Sequence, residues 1–278
     1  MVQAIKRSPA LRIGVIGVGI MGSNHARVLA ELPGVTVVGI ADPGAAHRPL
    51  LAQIVGCEVC DNVEDLLKLG IDAAVIAAPT HLHHDIALTC IKRGVHVLVE
   101  KPIASNVEEG RAIVAAAERA GVTLMVGHVE RFNPAVQAIK DAIKDEDILS
   151  IAITRVGPFP PRMSNVGVVI DLAVHDIDLI RWFTDSEIIQ VQPQLKSAVA
   201  EREDIALLQF RTASGVLIHF WSGDGTSARD AARFALGRRH VALQAAHGDF
   251  KARDSFGAGN GRRLLLADRL DEGEQFGA

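Results

Sequence analysis

Leu11-Arg12-Ile13-Gly14-Val15-Ile16-Gly17-Val18-Gly19-Ile20-Met21-Gly22 is the stretch whose reading decides the fold. An apolar run of strand length ends in a glycine turn, which opens into Ser23 to Ala30, a stretch that reads as helix. Gly17-x-Gly19-x-x-Gly22 is the dinucleotide fingerprint. Gly17 allows the tight turn, Gly19 lets backbone approach a pyrophosphate, and Gly22 lets helix and strand pack closely. The helix's free N–H groups then face the anion. A second strand, Val35 to Ala41, ends at Asp42, twenty residues past Gly22. A carboxylate there is expected to meet the ribose hydroxyls of NAD and to repel the 2′-phosphate of NADP.

Working outward, the chain's 278 residues give room for two domains, and an apolar share of 49% supports a large core. A formal charge of −4 gives no reason to expect nucleic acid or an anionic membrane as partner. The apolar runs are strand-length, so no membrane span is expected. Residues 1–9 carry Lys6 and Arg7 but no long apolar region, and no signal peptide is read there. Three cysteines, an odd number, fit a reducing cytoplasm better than a disulfide framework. Cys57-x-x-Cys60 lacks two further zinc ligands and reads as a pair of buried small side chains.

The first half alternates strand and helix. Helices are expected over 43–55, 63–69 (capped by Asn62), 81–93 and 106–120, and strands over 57–60, 72–78, 95–99 and 122–126. Repeated βα units with buried strands mean an α/β, doubly wound parallel sheet. The rhythm changes after Gly127. Helices over 134–144 and 168–183 and strands over 148–156, 188–194, 205–211 and 216–221 suggest a second, α+β domain with an antiparallel sheet. Past Ser222 isoleucine disappears, and Arg, Ala, Gly and Asp dominate. No alternation that would continue the sheet is read there. The expected division is 1–128, 129–222, and an atypical tail, 223–278, that is disordered or derives from an altered reading frame.

Two constellations carry chemistry. Glu100-Lys101-Pro102 follows the strand 95–99, at the carboxyl edge where doubly wound sheets hold ligands. A lysine there can donate to a substrate hydroxyl or a developing alkoxide, though a strand-end Lys-Pro is also an ordinary surface turn. Asp171 and His175, four apart in a helix, share one face, and a histidine is suited to taking a hydroxyl proton. A helix-surface ion pair is the plainer reading of the same spacing. The chain has no tyrosine, which rules out a tyrosine relay.

Gly17-x-Gly19-x-Met21-Gly22, Glu100-Lys101-Pro102 and Asp171-x-x-x-His175, in this order and spacing, resemble the glucose–fructose oxidoreductase / inositol dehydrogenase / MocA family over about residues 11 to 222. Pro79-Thr80-His81-Leu82-His83 is similar to that family's Pro-Asn-x-x-His segment, with Thr80 in place of Asn. The resemblance implies a Rossmann domain followed by a domain with an open, mostly antiparallel sheet that commonly mediates homo-oligomerisation. It implies Lys101, Asp171 and His175 as the catalytic group and a cis bond before Pro102. It further implies NAD bound by Gly17, Gly19, Ile20, Met21, Gly22, Asp42, Pro79, Thr80, His83, Glu100 and Lys101. No metal is needed; His81 and His83 of the His81-Leu82-His83-His84 cluster would in any case face different sides of a helix.

Within the family, residues 127–134 and 156–162 look most like UDP-N-acetylglucosamine 3-dehydrogenases. Arg131, Asn133 and Arg162 are then substrate-binding candidates beside Asp171 and His175. Guanidinium forks suit a diphosphate, and inter-domain salt bridging is the alternative for the two arginines. The expected activity is oxidation of a sugar hydroxyl, at C3 of a UDP-N-acetyl sugar. The alternatives are a dehydrogenase of another polyol such as inositol, and an impaired cofactor-binding or sensor protein whose second sheet is cut short.

Overall fold

The expected βα alternation builds a six-stranded, wholly parallel sheet in the order β3-β2-β1-β4-β5-β6. Its strands are β1 (Leu11–Ile16), β2 (Val35–Ala41), β3 (Glu58–Cys60), β4 (Ala73–Ile76), β5 (His96–Val99) and β6 (Leu124–Val126). Between them run α1 (Ile20–Glu31), α2 (Arg48–Val55), α3 (Val63–Lys68), α4 (His83–Lys92) and α5 (Val107–Ala120). The computed structural model describes residues 10–44, 46–157, 167–198, 200–224, 231–237, 241–245, 250–256 and 263–269. Contacts divide the chain into two compact units, residues 1–127 and 128–278.

Local chemistry sets several helix ends of the first unit. Asn62 Oδ1 accepts the Asp65 N–H at 2.8 Å at the start of α3, and Asn106 Oδ1 accepts the Glu109 N–H at 2.9 Å before α5. α4 differs from expectation. Its first turn is 3-10, over Thr80–Leu82, and the regular helix begins at His83. One face of the sheet buries Ile16, Leu66, Ile76, Val99 and Ile113, and the other buries Val15, Val37, Ile40, Leu51 and Val75. Burial on both faces is why these strands read as continuous apolar runs.

In the second unit a 3-10 turn, Val129–Phe132, precedes α6 (Pro134–Ala142) and β7 (Ser150–Gly157). A π-helical turn, Val169–Ala173, leads into α7 (Val174–Thr184). Then come β8 (Ile188–Lys196), β9 (Ile205–Thr212), β10 (Leu217–Asp224), β11 (Ala231–Gly237), β12 (Val241–Ala245), β13 (Phe250–Phe256) and β14 (Arg263–Arg269). The sheet order is β12-β11-β7-β10-β9-β8, antiparallel except for the β7–β10 pair, with β13 and β14 a separate hairpin. Among the described side chains of β9 and β10 only one face is covered. On β9, Ala206, Leu208, Phe210 and Thr212 are buried, whereas Leu207, Gln209 and Arg211 face outward. Leu179, Ile180 and Phe183 of α7 and Val136 and Ile139 of α6 fill the covered side.

The end set for the sheet at residue 222 needs correction. β10 runs to Asp224, and β11 and β12 add two strands beyond it. Phe234 and Leu236 stand in register with Ile153 and Ile151 of β7, with Ala235 between them opposite Ala152 and Arg233 before them opposite Thr154. The two-residue period is therefore present, but in a stretch so rich in alanine and arginine that only two large apolar residues mark it. Among the described residues no helix is long and apolar enough to cross a membrane.

Candidate active site

The glycine turn follows β1, and its three glycines meet three different constraints. Gly17 has φ +81°, and a Cβ there would lie 2.6 Å from Ala78 N, so only glycine fits. A Cβ on Gly22 would run into the Gly17 carbonyl oxygen, well inside contact distance. A Cβ on Gly19 would meet nothing within 4 Å, which leaves open space above the backbone. Gly19 is the N-cap of α1, and the first helical bond of that turn is from Ser23 N to Gly19 O at 2.9 Å. The N–H groups of Ile20, Met21 and Gly22 therefore lie at a helix start with no acidic residue in its first turn. Ile20 and Met21 are exposed. An open, backbone-lined cradle at a helix N-terminus fits a pyrophosphate.

The neighbouring strand ends complete this edge. Asp42, just past β2, accepts the Val18 N–H on Oδ2 at 2.9 Å and the Gly44 N–H on Oδ1 at 2.8 Å. These bonds aim its carboxylate beside the turn. Ser23 Oγ donates to Val18 O at 2.9 Å, and His47 Nε2 lies 2.6 Å from the same oxygen. Pro79 and Thr80 lie past β4, in and before the 3-10 turn. Because β1 and β4 are neighbours from which the chain winds outward in opposite directions, these segments flank the switch point where such sheets hold nucleotides.

Glu100, Lys101 and Pro102 follow β5, and the Lys101–Pro102 bond is cis, as expected. The Glu100 carboxyl is buried rather than exposed to a ligand. Its Oε1 lies 2.7 Å from His25 Nε2 of α1, and its Oε2 accepts the Lys101 N–H at 3.2 Å. A Cβ on Gly127 would sit 2.9 Å from that carboxyl, so the residue after β6 leaves it room. His83, expected at the cofactor, is only 1% exposed. Its Nε2 is 2.8 Å from Ala78 O and its Nδ1 2.9 Å from Pro102 O; both partners only accept, so each tautomer, with its single N–H, donates to one of them. His25 was not visible as a site residue, because 75 residues separate it from Glu100.

In the second unit Asp171 lies in the π-helical turn and His175 in the first turn of α7; both are half-buried. The regular helix expected through both is interrupted there, and π-turns recur at functional sites. Two arginine–carboxylate forks follow His175 along α7. Arg155 Nε and Nη2 of β7 donate to Asp176 at 2.7 and 2.9 Å, and Arg131 Nε and Nη2 donate to Asp178 at 2.7 and 2.6 Å. Asp176 is fully buried and Asp178 nearly so. The hydrogen bond to Asp178 raises the pKa of Arg131 further, against the opposing effect of burial. Arg131 thus makes its salt bridge inside the second unit. Asn133 caps α6, accepting the Ala135 N–H at 3.1 Å. Arg162 lies outside the described residues. Among the described residues no group of three His, Cys, Asp or Glu side chains could hold a metal ion.

A family model described as the NAD-binding Rossmann fold of the GFO/IDH/MocA oxidoreductases matches residues 11–128, and the model of that family's C-terminal domain matches residues 146–245. The chain belongs to the GFO/IDH/MocA family. The second match takes in β11 and β12, so the likeness extends past residue 222. Among relatives, the UDP-N-acetylglucosamine 3-dehydrogenase of Acidithiobacillus ferrooxidans is 33% identical over 196 residues, 70% of this chain and 61% of that one. The inositol 2-dehydrogenase of Rubrobacter xylanophilus is 34% identical over 224 residues, 76% of this chain and 64% of that one. The chain thus spans somewhat less than two thirds of these GFO/IDH/MocA relatives. Among solved structures, the A. ferrooxidans UDP-N-acetylglucosamine 3-dehydrogenase superposes with a TM-score of 0.78 at 28% identity, covering 85% of this chain and 78% of that one. A putative myo-inositol dehydrogenase from Sinorhizobium meliloti gives 0.79 at 25% identity, covering 94% and 83%.

Proposed function

We propose that the chain is an NAD-dependent dehydrogenase that oxidises a secondary hydroxyl of a sugar, at C3 of a UDP-N-acetyl sugar. The observation that carries the reading is Lys101, held at the carboxyl edge of the same sheet whose glycine turn and Asp42 form the cofactor cradle. NAD, when bound, supplies the acceptor for the hydrogen leaving the substrate carbon. Gly17, Gly19 and Gly22 with Asp42 bind and orient it. The Lys101 ammonium donates to the substrate oxygen and stabilises charge developing there. His175 takes the hydroxyl proton, and Asp171 orients His175 or the substrate. The likeness to the A. ferrooxidans UDP-N-acetylglucosamine 3-dehydrogenase, in sequence and in structure, supports the nucleotide-sugar form of the reading.

A second reading, a polyol such as inositol as substrate, is favoured by Arg131. Its guanidinium is spent on Asp178, which leaves less of it for a diphosphate. The outward face of the second sheet supports assembly with a second copy, and three unbridged cysteines support a cytoplasmic setting.

The test measures formation of NADH with NAD and of NADPH with NADP, from UDP-N-acetylglucosamine and from myo-inositol, for the wild type and for Lys101→Met. Turnover with NAD that falls by orders of magnitude in Lys101→Met, while NAD still binds, is the expected result. Undiminished turnover in that variant removes Lys101 from the mechanism. A higher kcat/KM on inositol replaces the nucleotide-sugar form with the polyol form.

A further inference from the structure

His83 is fully buried, and the reaction proposed above gives it no contact with substrate or cofactor. It is the first residue of α4, a helix anchored in the core by Ala87, Cys90 and Ile91, so its ring is held rigidly against the sheet. Its two nitrogens reach main-chain carbonyls past two adjacent strands. Ala78 lies two residues beyond β4, and Pro102 three beyond β5. Pro102 is the residue after Lys101. The Lys101 segment is therefore held on both sides, by the Glu100 carboxylate on the Lys101 N–H and by His83 Nδ1 at the Pro102 carbonyl.

We propose that His83 is a positioning residue for Lys101: as the Nδ1–H tautomer it donates to the Pro102 carbonyl from a ring wedged beside Ala78 O, and so fixes the segment carrying Lys101 against the end of β4. The inference rests on the reading of Lys101 as catalytic. A lysine side chain is a point charge on a flexible four-carbon stem, so the place of its ammonium depends on where its backbone is fastened. A small displacement of a catalytic group, even from a change that never touches substrate, costs up to about 100-fold in rate. A buried histidine that served packing alone would leave its polar atoms on whatever partner was nearest. Here both reach the two segments that frame the carboxyl edge.

The test is a double-mutant cycle in the full chain. His83→Phe keeps a ring and removes both polar atoms; His83→Gln keeps a donor. Each is made alone and with Lys101→Met, and melting temperature, NAD affinity, kcat and KM are measured on the substrate the wild type turns over best. His83→Phe is expected to lower kcat about 10- to 100-fold, with KM and NAD affinity within about threefold, and His83→Gln to restore most of the loss. In the Lys101→Met background His83→Phe is expected to change kcat no further, because its effect passes through Lys101. A multiplicative loss in the double variant, or an unchanged kcat in His83→Phe, overturns the inference and leaves the functional reading standing. Full turnover in Lys101→Met overturns both. Should His83→Phe fail to fold, His83→Leu takes its place in the same cycle, read by the same outcomes.

Discussion

Gly19→Ala separates the cofactor cradle from the fold it sits on. Gly19 has φ −62° and ψ −160°, extended backbone that alanine adopts, and a Cβ there would meet nothing within 4 Å. Two small effects on stability oppose each other. Alanine is a poorer N-cap than glycine by up to about 1 kcal/mol. It also lowers the entropy of the unfolded chain, which stabilises by about 0.4–1 kcal/mol. The net change is near zero, so the melting temperature should move by no more than about 5 °C. The methyl group, however, stands where a pyrophosphate approaches the start of α1. Loss of one charge-assisted hydrogen bond, about 1.5–3 kcal/mol, weakens NAD binding about 10- to 100-fold. Thermal denaturation and calorimetric titration with NAD measure the two quantities on one sample. Gly22→Ala is the contrast: its methyl group would overlap the Gly17 carbonyl, so the fold itself should suffer. An unchanged NAD affinity in a folded Gly19→Ala variant would refute the cradle.

Arg155→Met should destabilise by about 3–5 kcal/mol, since it strands the fully buried Asp176 carboxylate. Arg155→Met with Asp176→Leu should recover most of that loss in a denaturant titration; a single variant as mild as the double would show that Asp176 finds another partner. Asn106→Ala should cost about 1 kcal/mol by removing the cap of α5, and no change in melting would mean the Glu109 N–H is served by water instead. Burial pushes the Cys90 thiol up to about 12 and the Cys57 thiol up to about 11, so at pH 8 both are protonated. Iodoacetamide should leave them unmodified in the native chain and label them on unfolding, whereas rapid native labelling of Cys90 would place it outside the core.

Where a physical signal is local, the sequence alone determined the outcome. The βα alternation, the glycine turn, the acid closing β2, and the asparagines capping α3 and α5 were all readable, because hydrophobic period, glycine sterics and capping act within a few residues. The family was readable for the same reason: its motifs are short strings. Tertiary structure decided what depends on pairing between distant segments. Arg131 reads as a diphosphate ligand until α7 brings Asp178, 47 residues away, into its fork. His83 reads as a cofactor contact until Pro102 and Ala78 close on its ring, and nothing near His25 announces Glu100. The π-turn beneath Asp171 breaks a pattern that reads as plain helix, since side-chain period does not record one extra residue in a turn. β11 joins its sheet through main-chain bonds to β7, a partner some eighty residues earlier. A strand held that way needs little hydrophobic signal of its own, and so it escaped a reading based on side chains.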